Sequence, residues 1–222
     1  MSTITTNLQS LKQQLPAGVE LVAVSKFHPV EALTEAYQAG QRIFGESRAQ
    51  ELTAKAQAMP DDVQWHYIAH LQRNKVRQVV AVASMIQSVD SVELLHLIDH
   101  EAVRAGRHID VLLQLHVSQE STKTGFYMAD LLTAAVVGEL EGLENVTVRG
   151  LMCMASLTDD REQIAREFDI AHRVYDMLLD TVFDAAQFNI LSMGMTDDWP
   201  IAVEHGANMV RIGSAIFGPR QY

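Results

Sequence analysis

Eight short runs of apolar and β-branched residues recur along the chain, and segments of helical pattern separate them. The runs are LVAVSK (21–26), RIFGE (42–46), WHYIAH (65–70), MIQSV (85–89), DVLLQLHV (110–117), TVRGLMCM (147–154), FNILSM (188–193) and MVRIGS (209–214). Between them, VEALTEAYQAG (30–40) repeats apolar residues at helical spacing and stops at glycine. SVELLHLIDHEAVRAG (91–106) opens on a capping serine and also ends in glycine, and residues 161–180 carry Ile164, Phe168, Ala171, Val174, Tyr175 and Leu178 along one stripe. Strands that alternate with helices build a parallel sheet, and eight is the number that closes a (β/α)₈ barrel. An open doubly wound sheet is the alternative. Against it, the first run lacks the glycine-rich turn of dinucleotide-binding folds. The fold class read here is α/β, a single (β/α)₈ TIM barrel over 1–222, with an extra N-terminal helix and lead-in over 1–20.

A length of 222 residues with 48% hydrophobic content is enough for one well-buried core, and no linker or low-complexity segment divides it. The net charge of −11 disfavours nucleic acid and anionic membranes as general partners, while leaving room for a local basic pocket. One cysteine, Cys153, rules out an internal disulfide framework and fits a reducing compartment. Residues 1–20 lack a signal-peptide pattern, and no apolar run approaches the roughly 18 residues that span a bilayer. The expectation is a cytoplasmic, monomeric protein.

In a barrel the chemistry gathers at the C-terminal ends of the strands. One such end is Lys26, a charged amine closing an apolar run. Closure makes the first strand a neighbour of the eighth, about 4.8 Å away, so Lys26 is expected beside Arg211 and the Gly213-Ser214 turn. The turns Ser192-Met193-Gly194 and Gly213-Ser214 offer hydroxyls and backbone amides, and phosphate sites in this fold commonly use the loops after strands seven and eight. Ordinary strand-to-helix turns, with Lys26 as a surface residue, are the plain alternative. Burial would lower the pKa of a lysine and leave an amine able to attack a carbonyl. Lysine, phosphate cradle and barrel together suggest a phosphorylated aldehyde held as a Schiff base. His66 and His70 share strand parity, but no third ligand has metal-site spacing, and no metal is expected. Asp197 and Asp198 read as helix caps beside Pro200.

Motifs along almost the whole chain resemble one family. They are AVSKFHP (23–29), AGQRIFGES (39–47), WHYIAHLQRNK (65–75), QSVDS (87–91), VSQESTKTG (117–125), VRGLMCM (148–154) and LSMGMTDDWPIAVEHGANMVRIGSAIFGPRQY (191–222). The sequence is similar to the YggS/PROSC family, the pyridoxal phosphate homeostasis proteins. That resemblance implies a barrel like the N-terminal domain of alanine racemase, binding pyridoxal 5′-phosphate (PLP) without established turnover. It makes Lys26 the covalent Schiff-base lysine. Ser192, Gly194, Gly213 and Ser214 hold the phosphate, Arg211 faces the pyridine nitrogen, and Ser47, Asn74 and Met193 line the pocket. It also implies PLP-dependent apoenzymes as transient recipients. Three positions depart from the family pattern: Ser47 replaces an asparagine, Ala69 replaces a glycine, and His28 stands where members often carry a second lysine. Lys123 retains a basic position that some members use as a secondary PLP contact. Two alternatives stay open: a PLP-dependent racemase, against which stands the end of the chain at Tyr222 with no C-terminal β-domain, and a cofactor-free Schiff-base aldolase.

Overall fold

The computed structural model describes residues 3–118, 120 and 124–219. In chain order the elements are α1 (Thr3–Gln14), β1 (Glu20–Val24), α2 (Val30–Gln38), β2 (Ile43–Glu46), α3 (Ala49–Ala58) and β3 (Gln64–Tyr67), followed by a 3₁₀ turn at Arg73–Lys75. Then come α4 (Val76–Val80), β4 (Met85–Val89), α5 (Val92–Ala105), β5 (Ile109–Leu115), α6 (Met128–Val136) and β6 (Val146–Cys153). The chain continues through α7 (Arg161–Thr181), β7 (Ile190–Ser192), α8 (Trp199–Glu204), β8 (Met209–Ile212) and α9 (Ser214–Phe217). The eight strands are parallel and close in sequence order, with β1 pairing both β2 and β8. Each expected run holds a strand, and closure excludes the open-sheet alternative. No helix among the described residues is long and apolar enough to cross a membrane.

Local chemistry accounts for the helix ends. Ser91 accepts from the Leu94 N–H at 3.2 Å to start α5, and Gly106 ends it in the left-handed region at φ 61°. Asp160 caps α7 through the Gln163 N–H at 3.0 Å, and the buried stripe Ile164, Phe168, Ala171, Val174, Leu178 turns that helix onto the sheet. Asp198 does not cap α8 with its side chain. Its carboxylate turns back and accepts from the Met195 N–H at 2.6 Å, which tightens the turn before the helix.

Two apolar clusters follow from strand parity. The larger lies between sheet and helices, and the smaller fills the barrel interior with Val22, Met85, Leu112, Met152 and Met209. Side chains two residues further along a strand point the same way, one layer up. Above Met85 stands Gln87, above Met209 stands Arg211, and above Ile190 stands Ser192. Above Val22 stands Val24, and the next residue in that series is Lys26. The interior therefore runs from an apolar floor through a polar layer to an open mouth, and the lysine sits at the mouth.

Candidate functional site

The mouth of the barrel holds a cavity of about 290 Å³ lined by Val24, Lys26, His28, Ile68, Met154, Leu157, Met195, Thr196, Asp197, Arg211, Gly213, Ser214 and Gly218. The register that sets Val22 opposite Arg211 and Ala23 opposite Ile212 brings Lys26 and the Gly213-Ser214 turn together. Lys26 is half-buried. Its turn contains Phe27, the one non-glycine residue with positive φ (66°) among the described residues.

A buried charged network holds that turn. Lys55 on α3 donates to the Ser25 carbonyl at 2.8 Å, to Glu46 Oε1 at 2.7 Å and to Glu51 Oε2 at 3.2 Å. The Ser25 hydroxyl donates to Glu46 Oε1 at 2.5 Å, and the strained Phe27 gives its N–H to Glu51 Oε2 at 2.9 Å. Burial raises the Glu46 carboxyl above the ordinary carboxylate range despite Lys55, and Glu46 Oε2 has no partner. Burial also pushes Glu51 upward, but the Phe27 N–H and the Lys55 ammonium outweigh it and leave Glu51 below its ordinary value.

Arg211 is held from below. Its Nη1 donates to the Ser192 carbonyl at 2.9 Å and the Ser192 hydroxyl at 2.7 Å, and Nη2 donates to the Cys153 carbonyl at 2.8 Å. A guanidinium has five N–H donors, so Nε–H and one Nη2 hydrogen stay available on the cavity side. Burial lowers its pKa from the ordinary arginine value. At the cavity edge the Ser214 hydroxyl donates to Thr196 Oγ1 at 3.1 Å. The first N–H groups of α9, beginning at Ser214, have no intrahelical acceptor.

Four of the residues assigned to the cofactor from sequence share this cavity: Lys26, Arg211, Gly213 and Ser214. Ser192 lies wholly buried beneath Arg211, and Met193 is wholly buried beside it. Gly194 adopts φ 90°, and a Cβ there would come within 2.7 Å of Ala202 Cβ, so this glycine lets the turn pack on α8. A Cβ at Gly213 would meet the Val24 carbonyl at 2.9 Å, so that glycine lets β8 approach β1. Ser47 and Asn74 lie in the loops after β2 and β3 and do not line the cavity. Ala69 keeps negative φ, and its carbonyl accepts the Ser88 hydroxyl at 2.5 Å. His28 lines the cavity and stacks on Phe217, with ring centroids 5.0 Å apart. Lys123 lies outside the described residues. Thr196 was not foreseen; its position two residues after Gly194, in a turn that faces α9, was the available signal. His66 and His70 do not converge: His66 is bonded to Gln87, whereas His70 is exposed and pairs with Asp90 at 2.7 Å. Among the described residues no cluster of three or more His, Cys, Asp or Glu is placed to hold a metal.

The donor set tests well against a phosphorylated aldehyde. An amine, a buried guanidinium with donors to spare, two hydroxyls and the start of a helix converge on one cavity, against the single carboxylate of Asp197. Comparison defines the class first: residues 1–221 match the family described as "Alanine racemase, N-terminal domain". The alanine racemase of Clostridium difficile, 16% identical, superposes with a TM-score of 0.78 over 99% of this chain and 57% of its own, and shows the same fold. A pyridoxal phosphate homeostasis protein of Pasteurella multocida is 36% identical over 100% of this chain and 97% of its own. PipY of Synechococcus elongatus, solved without PLP, is 40% identical with a TM-score of 0.91, covering 97% of this chain and 100% of that one. PipY with PLP bound is 39% identical over the same shares of the two chains, with a TM-score of 0.86. The chain belongs to the pyridoxal phosphate homeostasis protein family.

Proposed function

We propose that this protein binds PLP at the mouth of the barrel, attaches it through Lys26, and serves intracellular PLP homeostasis as a carrier without catalytic turnover. The observation that carries the reading is the convergence of Lys26, Arg211, Ser214 and Thr196 on one cavity. The names of the relatives and the PLP-bound PipY structure support it.

Bound PLP supplies an aldehyde that condenses with a primary amine. Lys26 is the amine at hand on this cavity. Ser214, Thr196 and the backbone amides of the Gly213-Ser214 turn would hold the phosphate, and Gly213 lets that turn lie against β1. Arg211 presents donors only and keeps its proton. Placed at the ring nitrogen, it would favour an unprotonated ring and so weaken the electron-withdrawing pull that enzymes of this cofactor draw on. Ser47 and Asn74, which stand outside the cavity lining, would reach the cofactor only from the loops after β2 and β3, while Met193 is buried and Gly194 packs the neighbouring turn on α8. PLP-dependent apoenzymes are the recipients in this reading, and the protein acts as a cytoplasmic monomer.

Borohydride treatment of the PLP-loaded protein, followed by peptide mapping, is expected to place the pyridoxyl group on Lys26. An adduct wholly on Lys75 or Lys123 overturns the assignment. A substrate panel for racemase, transaminase and decarboxylase chemistry is expected to show no turnover.

A further inference from the structure

We infer that Gln87 and His66 are positioning residues for Arg211, acting through Ser192 as a neutral hydrogen-bond relay across the barrel interior. The inference rests on the reading of Arg211 as a cofactor-facing group.

The relay has four members from four strands. Arg211 Nη1 lies 2.7 Å from Ser192 Oγ, Ser192 Oγ lies 2.8 Å from Gln87 Oε1, and Gln87 Nε2 lies 2.8 Å from His66 Nδ1. Each residue is at most 4% exposed. The orientation of the Gln87 amide, with Oε1 toward Ser192 and Nε2 toward His66 and Met209, sets the directions. Arginine has no acceptor, so the Ser192 oxygen accepts from it and the hydroxyl proton must go elsewhere. Gln87 Oε1 receives that proton. The amide then turns its NH₂ toward His66, whose Nδ1 is the acceptor, so the ring carries its proton on Nε2. The second Nε2 hydrogen of Gln87 points at Met209 Sδ, 3.3 Å away.

This arrangement leaves Ser192 committed on both sides, as an acceptor from Arg211 and a donor to Gln87. It also fixes the Gln87 amide while His66 carries its proton on Nε2 and Ser192 donates to Gln87. Turning the Gln87 amide over would set its NH₂ against the Ser192 hydroxyl and its carbonyl against the His66 lone pair. Burial drives the His66 pKa down to about 3, so the ring stays neutral and the acceptor stays in place across ordinary pH. The guanidinium, tied at Nη1 and Nη2, is left with its remaining donors turned to the cavity. A role limited to filling polar valences inside the barrel predicts a loss of stability with no change at the cofactor.

Gln87→Met keeps the length and removes both hydrogen-bonding groups. In the PLP-free protein, ¹⁵N NMR is expected to show the Arg211 side-chain N–H signals exchanging with water roughly tenfold faster than in the wild type. With PLP loaded, affinity is expected to fall three- to tenfold and the absorption maximum to shift. His66→Asn keeps an acceptor close to the place of Nδ1 and is expected to hold affinity and spectrum within twofold of wild type, although it leaves more empty space than His66→Leu. His66→Leu is expected to behave like Gln87→Met. Folded Gln87→Met with unchanged Arg211 exchange overturns the relay. So do equal losses of affinity in His66→Asn and His66→Leu, which also serve if Gln87→Met does not fold. Faster Arg211 exchange with an unaltered cofactor spectrum supports the relay and instead sinks the reading of Arg211 as a ring contact.

Discussion

Two polar networks support the same cavity by different means. Under Lys26, between the sheet and α3, three charges meet: Lys55 with Glu46 and Glu51. Under Arg211, inside the barrel, the supports are neutral: Ser192, Gln87 and His66. The charged network leaves one carboxylate oxygen of Glu46 buried without a partner, whereas no atom of Ser192, Gln87 or Arg211 is buried and unpartnered. The difference follows from what each network must do. Around Lys26 the backbone itself is bent, with Phe27 in the left-handed region, and strong charge-assisted bonds to the Ser25 carbonyl and the Phe27 N–H hold it there. Around Arg211 the strand is regular, and only the direction of a side chain needs fixing. On the proposed role of Arg211, a second full charge beside the buried guanidinium would compete with the ligand for it, and neutral partners avoid that.

The largest expected effect comes from removing the cation of the charged network. Lys55→Met strands Glu46 and is expected to lower unfolding free energy in urea by about 3–5 kcal/mol. Lys26 would also lose its fixed turn, so PLP affinity falls with it. A cost under about 1 kcal/mol would show that the turn is held by other contacts. Adding Glu46→Gln to Lys55→Met is expected to recover part of the loss, because the stranded acid becomes a neutral amide.

Acid separates the two networks by sign. His66 is lowered to about 3 in the folded protein against 6.5 unfolded, so its stabilising contribution is present above about pH 6.5. It is lost as pH falls toward 3, by about 1.4 kcal/mol per unit. Glu46 is raised in the folded protein, so its contribution is present below its unfolded value and is lost as pH rises through the folded value. Stability curves from pH 4 to 8 are expected to be flatter in acid for His66→Asn, by about one proton. The relative cost of Glu46→Gln is expected to shrink as pH rises. Parallel curves for wild type and His66→Asn would mean that His66 is not the buried neutral ring described.

The smallest effect on the fold is expected at Thr196, which belongs to neither network. Thr196→Val should change stability by less than about 0.5 kcal/mol. It should weaken PLP roughly tenfold while leaving pyridoxal, which lacks the phosphate, nearly unchanged. Equal losses for both ligands would move the phosphate away from the Ser214–Thr196 pair.

The barrel was legible because its cause is written along the chain: apolar runs of strand length, spaced by capped amphipathic helices. The pairing of Lys26 with Arg211 followed from closure alone. Depth was harder to read. Ser192 and Arg211 both end strands, yet Ser192 sits a layer below the cavity, and sequence does not show how far each strand extends before its turn. Sequence does not pair Gln87 with His66, because a single polar residue in an apolar run does not name the neighbour in the barrel that satisfies it. Sequence draws attention to Gly194 and Gly213 rather than to Thr196, and those glycines serve backbone packing against α8 and β1. Asp198 shows the same limit. A carboxylate before a helix reads as a cap, but the Met195 N–H was the nearer donor.

The pairing of β1 with β8 also bears on when the site comes into being. During synthesis Lys26 leaves the ribosome early, whereas Arg211 and Ser214 follow only after six further strands. The first helix waits as well: Asn7 on α1 donates to the Ile216 carbonyl on α9 at 3.2 Å, so the opening element docks on one made near the finish. On the function proposed for Lys26, a nascent chain would carry its amine for most of its production without Arg211 and Ser214 beside it. Capture of the cofactor would then be a mark of completed closure, and a chain that stops short of β8 would lack the far wall of the cavity.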